Sequence, residues 1–321
     1  MNAEQTDVSR IIQKNKAGFL LRQWYTFKKN WELLLLCMPT IIAYFLFHYV
    51  PMVGLQLPFR NYRYDLGLFH SEWVGFKNFE FLFNSVDLVR IVRNTVLYSL
   101  TFLILGTVCK VVVALLLFEI NNRKCLKFYQ TVMTIPNFLS WVVVGFITYA
   151  VFNPSIGVLN QVITLFGGTG VNVYATPECW PFILTYMDIW KNVGMGCIIY
   201  YASLLGIDPS LYEAATIDGA GRWKQTIHIS IPNLISLITI MSIMGIGGLF
   251  NGDFGLFYQI PRNIGVLYPT TDIINTYVYR GLSGGDYGMS SATGLVQSVV
   301  GFILVVGANG VSRKISPENS M

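Results

Sequence analysis

Long apolar runs alternate with shorter polar segments along almost the whole chain. Crossing a bilayer takes about 20 mostly apolar residues of helix. Six runs meet this length, and they lie near 33–52, 94–119, 130–152, 181–205, 232–250 and 289–311. The pattern predicts an all-α, polytopic membrane protein with six transmembrane helices. We expect three parts: an amphipathic segment at 1–32, a six-span transmembrane domain at 33–312, and a short tail at 313–321.

Basic residues are concentrated at both ends of the chain and in the segments near 120–129 and 206–231. Cytoplasmic segments of membrane proteins carry such an excess of Lys and Arg, so both termini are predicted to lie in the cytoplasm. Within the first segment, residues 10–30 resemble a helix with apolar residues on one side and Lys and Arg on the other. Such a helix would lie on the inner membrane surface. A frayed basic tail is the alternative interpretation.

Composition agrees with a membrane protein and gives no indication of a nucleic-acid-binding or metal-binding function. Only 12% of the 321 residues are charged and 53% are hydrophobic, whereas soluble domains carry about 25% charged residues. The net charge of +5 fits cytoplasmic Lys and Arg and does not call for nucleic acid as a partner. The five cysteines and three histidines are scattered along the chain, a spacing that indicates neither a disulfide framework nor a metal site.

The polar segment 208–232 has helix-forming and charged residues where a short turn would have been enough. Asp208-Pro209 is a helix start, with a capping carboxylate followed by proline at the first helical position. The stretch 218–221, Asp-Gly-Ala-Gly, ends that helix. A second short helix then carries Trp223 and Ile227 at a spacing of four residues. We predict an exposed helix-turn-helix that contacts a partner; an amphipathic linker resting on the lipid surface is the alternative.

The spacing within this segment resembles a known motif. Glu213-Ala-Ala is followed by three residues, Gly219, nine further residues, and Ile229-Ser-Ile-Pro232. This matches the EAA loop of the permease subunits of bacterial ABC-type importers. Softer similarities, such as WVGFKNF from Trp73 and DIINTYVYRGL from Asp272, resemble the carbohydrate branch of that family, particularly subunits that pass complex or acidic oligosaccharides.

The resemblance implies the type I ABC importer permease fold, with six transmembrane helices and cytoplasmic coupling helices. It implies a permease subunit of an ATP-driven oligosaccharide importer, whose EAA loop docks on separate ATPase subunits. The loop is expected to present an apolar ridge that fills a pocket on the ATPase, with Tyr212, Ala214, Ala215 and Trp223 as candidates. Glu213 is expected to pair with a basic group of the ATPase. The implied ATPase-coupling residues are Glu213, Ala214, Ala215, Asp218, Gly219, Trp223 and Pro232.

The same resemblance implies the partners. The chain has no G-x-x-x-x-G-K-[ST] motif, so ATP and Mg²⁺ are expected on two partner ATPase subunits, with no cofactor on this chain. A single EAA loop implies a second permease subunit, a related chain or a second copy of this one. An extracellular or lipid-anchored solute-binding protein would deliver the cargo at the bacterial plasma membrane. A match to G-x-S-x-G at 281–285 lacks the strand that a nucleophile elbow needs, so no enzyme is predicted.

Polar residues in and near the spans are candidates for the substrate path, because ionisable groups inside a membrane are functional hypotheses by default. Asp188 and Lys191 lie three residues apart on one helix face and are expected to pair with each other; a position beside the path is the alternative. The remaining alternatives for function are an importer of this type for a peptide, amino acid or osmolyte, and a secondary transporter. The candidates for the path are Tyr186, Asp188, Trp190, Asn251, Asp253, Tyr258 and Gln259.

Overall fold

The computed structural model describes residues 28–315, with side chains from 28 to 310. The predicted amphipathic segment before residue 28 and the tail beyond residue 315 lie outside the described residues. The described residues fall into two compact units, with the boundary between Gln56 and Leu57.

The described part of the first unit is one apolar helical stretch. Helix α1 (Trp31–Tyr44) continues as a π-helical turn, Phe45–Tyr49, and then as a 3₁₀ helix, Val50–Phe59, which runs past the unit boundary. No side chain of α1 is buried. A helix whose neighbour is lipid can leave its apolar side chains uncovered by protein, so this exposure fits a membrane span.

The second unit contains a small β-hairpin, which follows the 3₁₀ helix in the chain and precedes a long helix that begins at Val86. Strands β1 (Arg60–Asn61) and β2 (Glu72–Trp73) pair antiparallel, with Arg60 opposite Trp73. Among the described residues this two-residue ladder is the one departure from the predicted all-α fold. Two short helices flank β2, α2 (Gly67–His70) and α3 (Lys77–Phe83).

Helices α4 (Val86–Phe118) and α8 (Trp180–Leu205) form the most extensive helix pair of this unit. Three α-helices lie between them in the chain, of which α5 (Arg123–Phe138) and α6 (Trp141–Phe152) come first. The remaining helices are α7 (Val158–Leu165), α9 (Pro209–Ile217), α10 (Arg222–Gln225), α11 (Ile231–Gly247), α12 (Phe254–Gln259), α13 (Tyr268–Thr271), α14 (Ile274–Ser283) and α15 (Tyr287–Ile315).

Within residues 28–315, four helical stretches are long and apolar enough to cross a membrane: Trp31–Phe59, Val86–Phe118, Arg222–Gly247 and Tyr287–Gly310. They correspond to four of the six predicted spans. The predicted span 181–205 is a 26-residue helix, α8, long enough at about 1.5 Å per residue but not among the four. It carries Asp188 and Lys191, which lower its hydropathy.

The predicted span 130–152 is not one helix. It is the pair α5 and α6, bent by 98° at Leu139–Ser140. Pro136 in the last turn of α5 removes a backbone donor, and the Ser140 side chain accepts a hydrogen bond from the Val143 N–H to cap α6. Local chemistry therefore ends one helix and starts the next within a continuous apolar run.

Two hydrophobic clusters position the regions of interest. One centres on Tyr98, Trp180 and Leu256 and joins α4, α6, α8 and α12. The other, with Leu117 and Leu234 among its buried members, joins the C-terminal halves of α4 and α8 to α11. The first cluster lies beside the polar cavities described below, and the second lies next to segment 208–232.

Candidate functional site

Segment 208–232, the EAA loop, starts with the predicted cap. The Asp208 carboxylate accepts a hydrogen bond from the Ser210 N–H at 2.9 Å, and Pro209 is the first residue of α9. Hydrogen bonds from the backbone and the side chain of Ser210 lower the pKa of Asp208. The carboxylate therefore stays ionised and holds the first turn of the helix in place.

The turn after α9 needs a glycine. Gly219 has a φ of +76°, in the left-handed region that side-chain-bearing residues rarely adopt, yet nothing lies within 4 Å of the place that a Cβ would take. The requirement is thus conformational and not steric. The Gln225 amide fixes the turn by donating to Thr216 Oγ1 and to the Ala220 carbonyl, each at 3.0 Å.

The second helix of the loop is not separate from the following span. α10 passes through a π-helical turn, Thr226–Ser230, directly into α11. Pro232 lies in the first turn of α11 and has no N–H to donate to the carbonyl four residues earlier, which fits a widened turn just before it. Because α10 and α11 are continuous, a force on α10 is transmitted directly to the span.

One face of the EAA loop is fastened to the protein. The Tyr212 ring packs on Phe118 of α4 with centroids 5.8 Å apart, and its hydroxyl hydrogen-bonds the buried Ser230 hydroxyl at 2.9 Å. Tyr212 is therefore an inward anchor, and its prediction as part of an outward ridge was wrong. Arg222 also forms an ion pair with Glu119, just past the end of α4, which sequence reasoning missed.

The other face of the loop is exposed. Trp223 is 76% exposed and Ile217 is 87% exposed. Of the predicted coupling residues, Ala215 is half-buried, while Glu213, Ala214, Asp218, Gly219, Trp223 and Pro232 are exposed. Large apolar side chains beside an exposed carboxylate are typical of a protein-docking surface.

The path candidates Asp188, Asn251 and Asp253 lie around one cavity of about 280 Å³ between α4, α8 and the segment after α11, here the Asp188 cavity. Lys110 and Asn192 also line it. The Asn192 amide donates to Asp188 at 2.9 Å. Asp253 caps α12 and accepts a hydrogen bond from the Trp141 indole at 2.7 Å.

The expected pairing of Asp188 with Lys191 is wrong. The Lys191 ammonium is buried and donates to the carbonyls of Pro136, Asn137 and Leu139 at 3.3, 2.8 and 2.6 Å. Those carbonyls end α5 at the 98° bend, where helix C-termini lack intrahelical partners. Lys191 thus stabilises the break between α5 and α6 and does not neutralise Asp188.

Tyr258 and Gln259 line a different cavity, of about 200 Å³, together with Val142, Gly145, Phe146 and Arg262; we refer to it as the Arg262 cavity. Tyr258 also belongs to an aromatic trio with Phe254 and Tyr279, whose ring centroids lie 4.8 to 5.1 Å apart. Gly145 lets α6 approach α12, because a Cβ there would lie 2.9 Å from the Gln259 carbonyl.

The remaining two path candidates lie elsewhere. Tyr186 lines a mostly apolar groove of about 760 Å³ between the first halves of α4 and α8. Trp190 is half-buried against the first hydrophobic cluster. The structure therefore divides the seven candidates among three hollows and the core, and it adds Lys110 and Arg262. Among the described residues, no group of three or more His, Cys, Asp or Glu is placed to hold a metal ion.

Comparison with known proteins connects the EAA loop to transport. Residues 111–317 match the family described as the binding-protein-dependent transport system inner membrane component. The chain is 35% identical over 292 residues to protein LplB of Bacillus subtilis, covering 91% of each chain. It is 36% identical over 288 residues to the polygalacturonan/rhamnogalacturonan transport system permease protein YteP of the same organism, covering 89% of each.

Solved structures show the same fold. A chain in the crystal structure of a bacterial ABC transporter involved in the import of the acidic polysaccharide alginate superposes with a TM-score of 0.82. It is 32% identical in sequence, and the match covers 92% of this chain and 99% of that one. A second structure, of the alginate transporter in complex with an alginate pentasaccharide-bound periplasmic protein, gives a TM-score of 0.81.

Proposed function

This chain belongs to the family of inner-membrane components of binding-protein-dependent transport systems, and we propose that it is the permease subunit of an ATP-driven oligosaccharide importer. It forms half of the translocation path and transmits movement from ATPase subunits to the membrane. The relatives whose names state a cargo support this, because YteP is a polygalacturonan/rhamnogalacturonan permease and the structural match belongs to an alginate importer.

The observation that carries the proposal is the two-sided EAA loop. Its outer face exposes Glu213, Ala214 and Trp223, while its inner face is fastened to α4 through Tyr212 and Arg222. The second helix of the loop continues without a break into α11. Movement of a partner bound to the outer face is therefore transmitted to both α4 and α11.

The gripping partner is an ATPase on a separate chain, since this sequence contains no phosphate-binding Gly-Lys pair. ATP and Mg²⁺ belong to two such ATPase subunits. A second permease, related to this chain, supplies the other half of the path. A solute-binding protein delivers the oligosaccharide, and both termini of this chain lie in the cytoplasm of the bacterium.

The experiment is ATP hydrolysis by the purified complex in proteoliposomes. A binding protein loaded with an oligosaccharide should raise the rate of hydrolysis and drive sugar uptake. If a binding protein loaded with a peptide or an osmolyte raised the rate of hydrolysis and one loaded with sugar did not, the chain would belong to an importer with another cargo. Uptake driven by an ion gradient without ATP would contradict the proposal and favour a secondary transporter.

A further inference from the structure

The Arg262 cavity combines one positive charge with apolar and neutral polar walls. Val142, Gly145 and Phe146 of α6 form one side, and Tyr258, Gln259 and Arg262 form the other. Among these lining residues Arg262 alone is charged. The volume of the cavity, about 200 Å³, is below the roughly 300–1,000 Å³ of complete small-molecule sites. The cavity therefore fits one part of a larger ligand.

The guanidinium of Arg262 is available for a ligand. Its Cζ lies over the Tyr149 ring, 4.1 Å from the ring centroid, within the range of a cation–π contact. No hydrogen bond or ion pair from this side chain is present among the described residues, and the residue is exposed. Without such a partner the N–H groups of the guanidinium can donate to a ligand, and their planar arrangement matches the two oxygens of a carboxylate.

The backbone at this position is strained. Arg262 has a φ of +59° and Asn263 a φ of +51°, both in the left-handed region. The Tyr268 hydroxyl holds the turn by donating to the Asn263 carbonyl at 3.3 Å and to its side-chain oxygen at 3.1 Å. A left-handed arginine is costlier than glycine or asparagine, and strain of this kind is concentrated at functional sites.

The groups around Arg262 suit a sugar ring. Tyr258 lines the cavity and offers aromatic surface, and its ring packs edge-on against Tyr279. The Gln259 amide has no hydrogen-bond partner among the described side chains and backbone groups, so it can donate to and accept from hydroxyl groups. By contrast, the Asp188 cavity contains two carboxylates, Asp188 and Asp253, and one ammonium, Lys110, which makes it a poorer place for an anion.

We infer that the Arg262 cavity binds a uronate unit of the cargo, with Arg262 pairing with its carboxylate and Gln259 and Tyr258 contacting its ring. This inference rests on the proposed function and adds to it the charge of the substrate. Arginine pairs with a carboxylate through two parallel hydrogen bonds, so a neutral ester of the same sugar binds more weakly.

The test is saturation-transfer NMR on the purified importer complex in nanodiscs, without the binding protein. The probes are trigalacturonate, trimannuronate and their methyl esters. The test variant is Arg262→Asn, because asparagine tolerates a left-handed backbone. The matched control is Arg63→Asn, which changes an exposed arginine that pairs with Asp65 in the first hairpin.

Wild-type protein should bind at least one free uronate more tightly than its methyl ester. Arg262→Asn should weaken uronate binding about tenfold or more, because a charge-assisted pair is lost, and its thermal midpoint should equal or exceed that of wild type. Arg63→Asn should bind as wild type does.

Three outcomes would overturn the inference: uronate binding unchanged in Arg262→Asn, equal binding of acid and ester by wild type, or no binding of either by wild type. Loss of the second permease from the Arg262→Asn complex would also overturn it, since Arg262 would then be an interface residue. The proposed function is judged separately, by stimulation of hydrolysis with a loaded binding protein. That assay can succeed with a neutral sugar when the NMR test fails.

Discussion

Arg222, the first residue of α10, forms an ion pair with Glu119, which directly follows the last residue of α4. The two residues are 103 positions apart in the chain. The pair ties the EAA loop to a long helix that lines the Asp188 cavity. We expect movement of the loop to reach α4 through this contact.

Reversing one charge of this pair should uncouple transport from ATP hydrolysis. Arg222→Glu should keep hydrolysis but lower sugar uptake, while the double variant Arg222→Glu/Glu119→Arg should recover much of the uptake. The thermal midpoint should change little, because exposed ion pairs contribute about 0–1 kcal/mol. The ratio of uptake to hydrolysis in proteoliposomes measures the effect; a double variant no better than the single one would exclude the pair as a coupling element.

Substitution at Gly219 should act through backbone conformation. Gly219→Val should disturb the turn and weaken ATPase binding, because a β-branched residue opposes a φ of +76°. Gly219→Asn should be milder, since asparagine adopts left-handed conformations more readily. The control is Gly221→Ala, at a glycine with a φ of −69° and open space around it. Co-purification of the ATPase measures how strongly each variant weakens ATPase binding. Equal effects of all three changes would contradict this account.

The exposed carboxylate Glu213 should be needed for ATPase docking. Glu213→Lys should reduce co-purification of the ATPase, because it places a positive charge against the basic group expected on the partner. Glu178→Lys makes the same charge change at an exposed residue before α8 and should leave docking intact. Normal docking and uptake with Glu213→Lys would show that the EAA loop is only a linker.

Lys191 should stabilise the fold without help from Asp188. Lys191→Met should lower the thermal midpoint strongly, because a buried acceptor left without a partner costs about 1–3 kcal/mol and Lys191 serves three carbonyls. Asp188→Asn should have a small effect on the midpoint. If the two residues formed a pair, the double variant would be more stable than Lys191→Met alone; we expect no such recovery.

Two exposed cysteines test the orientation in the membrane. Cys125 lies in the first turn of α5, and Cys179 lies directly before α8. Both residues are exposed. In single-cysteine variants, a membrane-impermeant thiol reagent should label Cys179 on intact cells and Cys125 only after permeabilisation. Cys197, which is buried, serves as the unlabelled control. Labelling of Cys125 on intact cells would reverse the predicted topology.

The sequence by itself determined the features that depend on neighbouring residues. Five of the six apolar runs correspond to long helical stretches, α9 starts at Pro209 after the Asp208 cap, and Gly219 lies in the expected turn with a positive φ. Helix caps and tight turns are set within a few residues, and span length is set by bilayer thickness, so each can be read from a short window.

Only the tertiary structure decided which distant groups meet. The Lys191 ammonium reaches carbonyls more than fifty positions away instead of Asp188, and an apolar run that was predicted as one span is bent at Leu139–Ser140. Tyr258 and Asp253, five residues apart, face different cavities. A buried charge takes the partners that packing brings within reach. Packing between helices decides such partners, and they leave no periodic signal in the sequence.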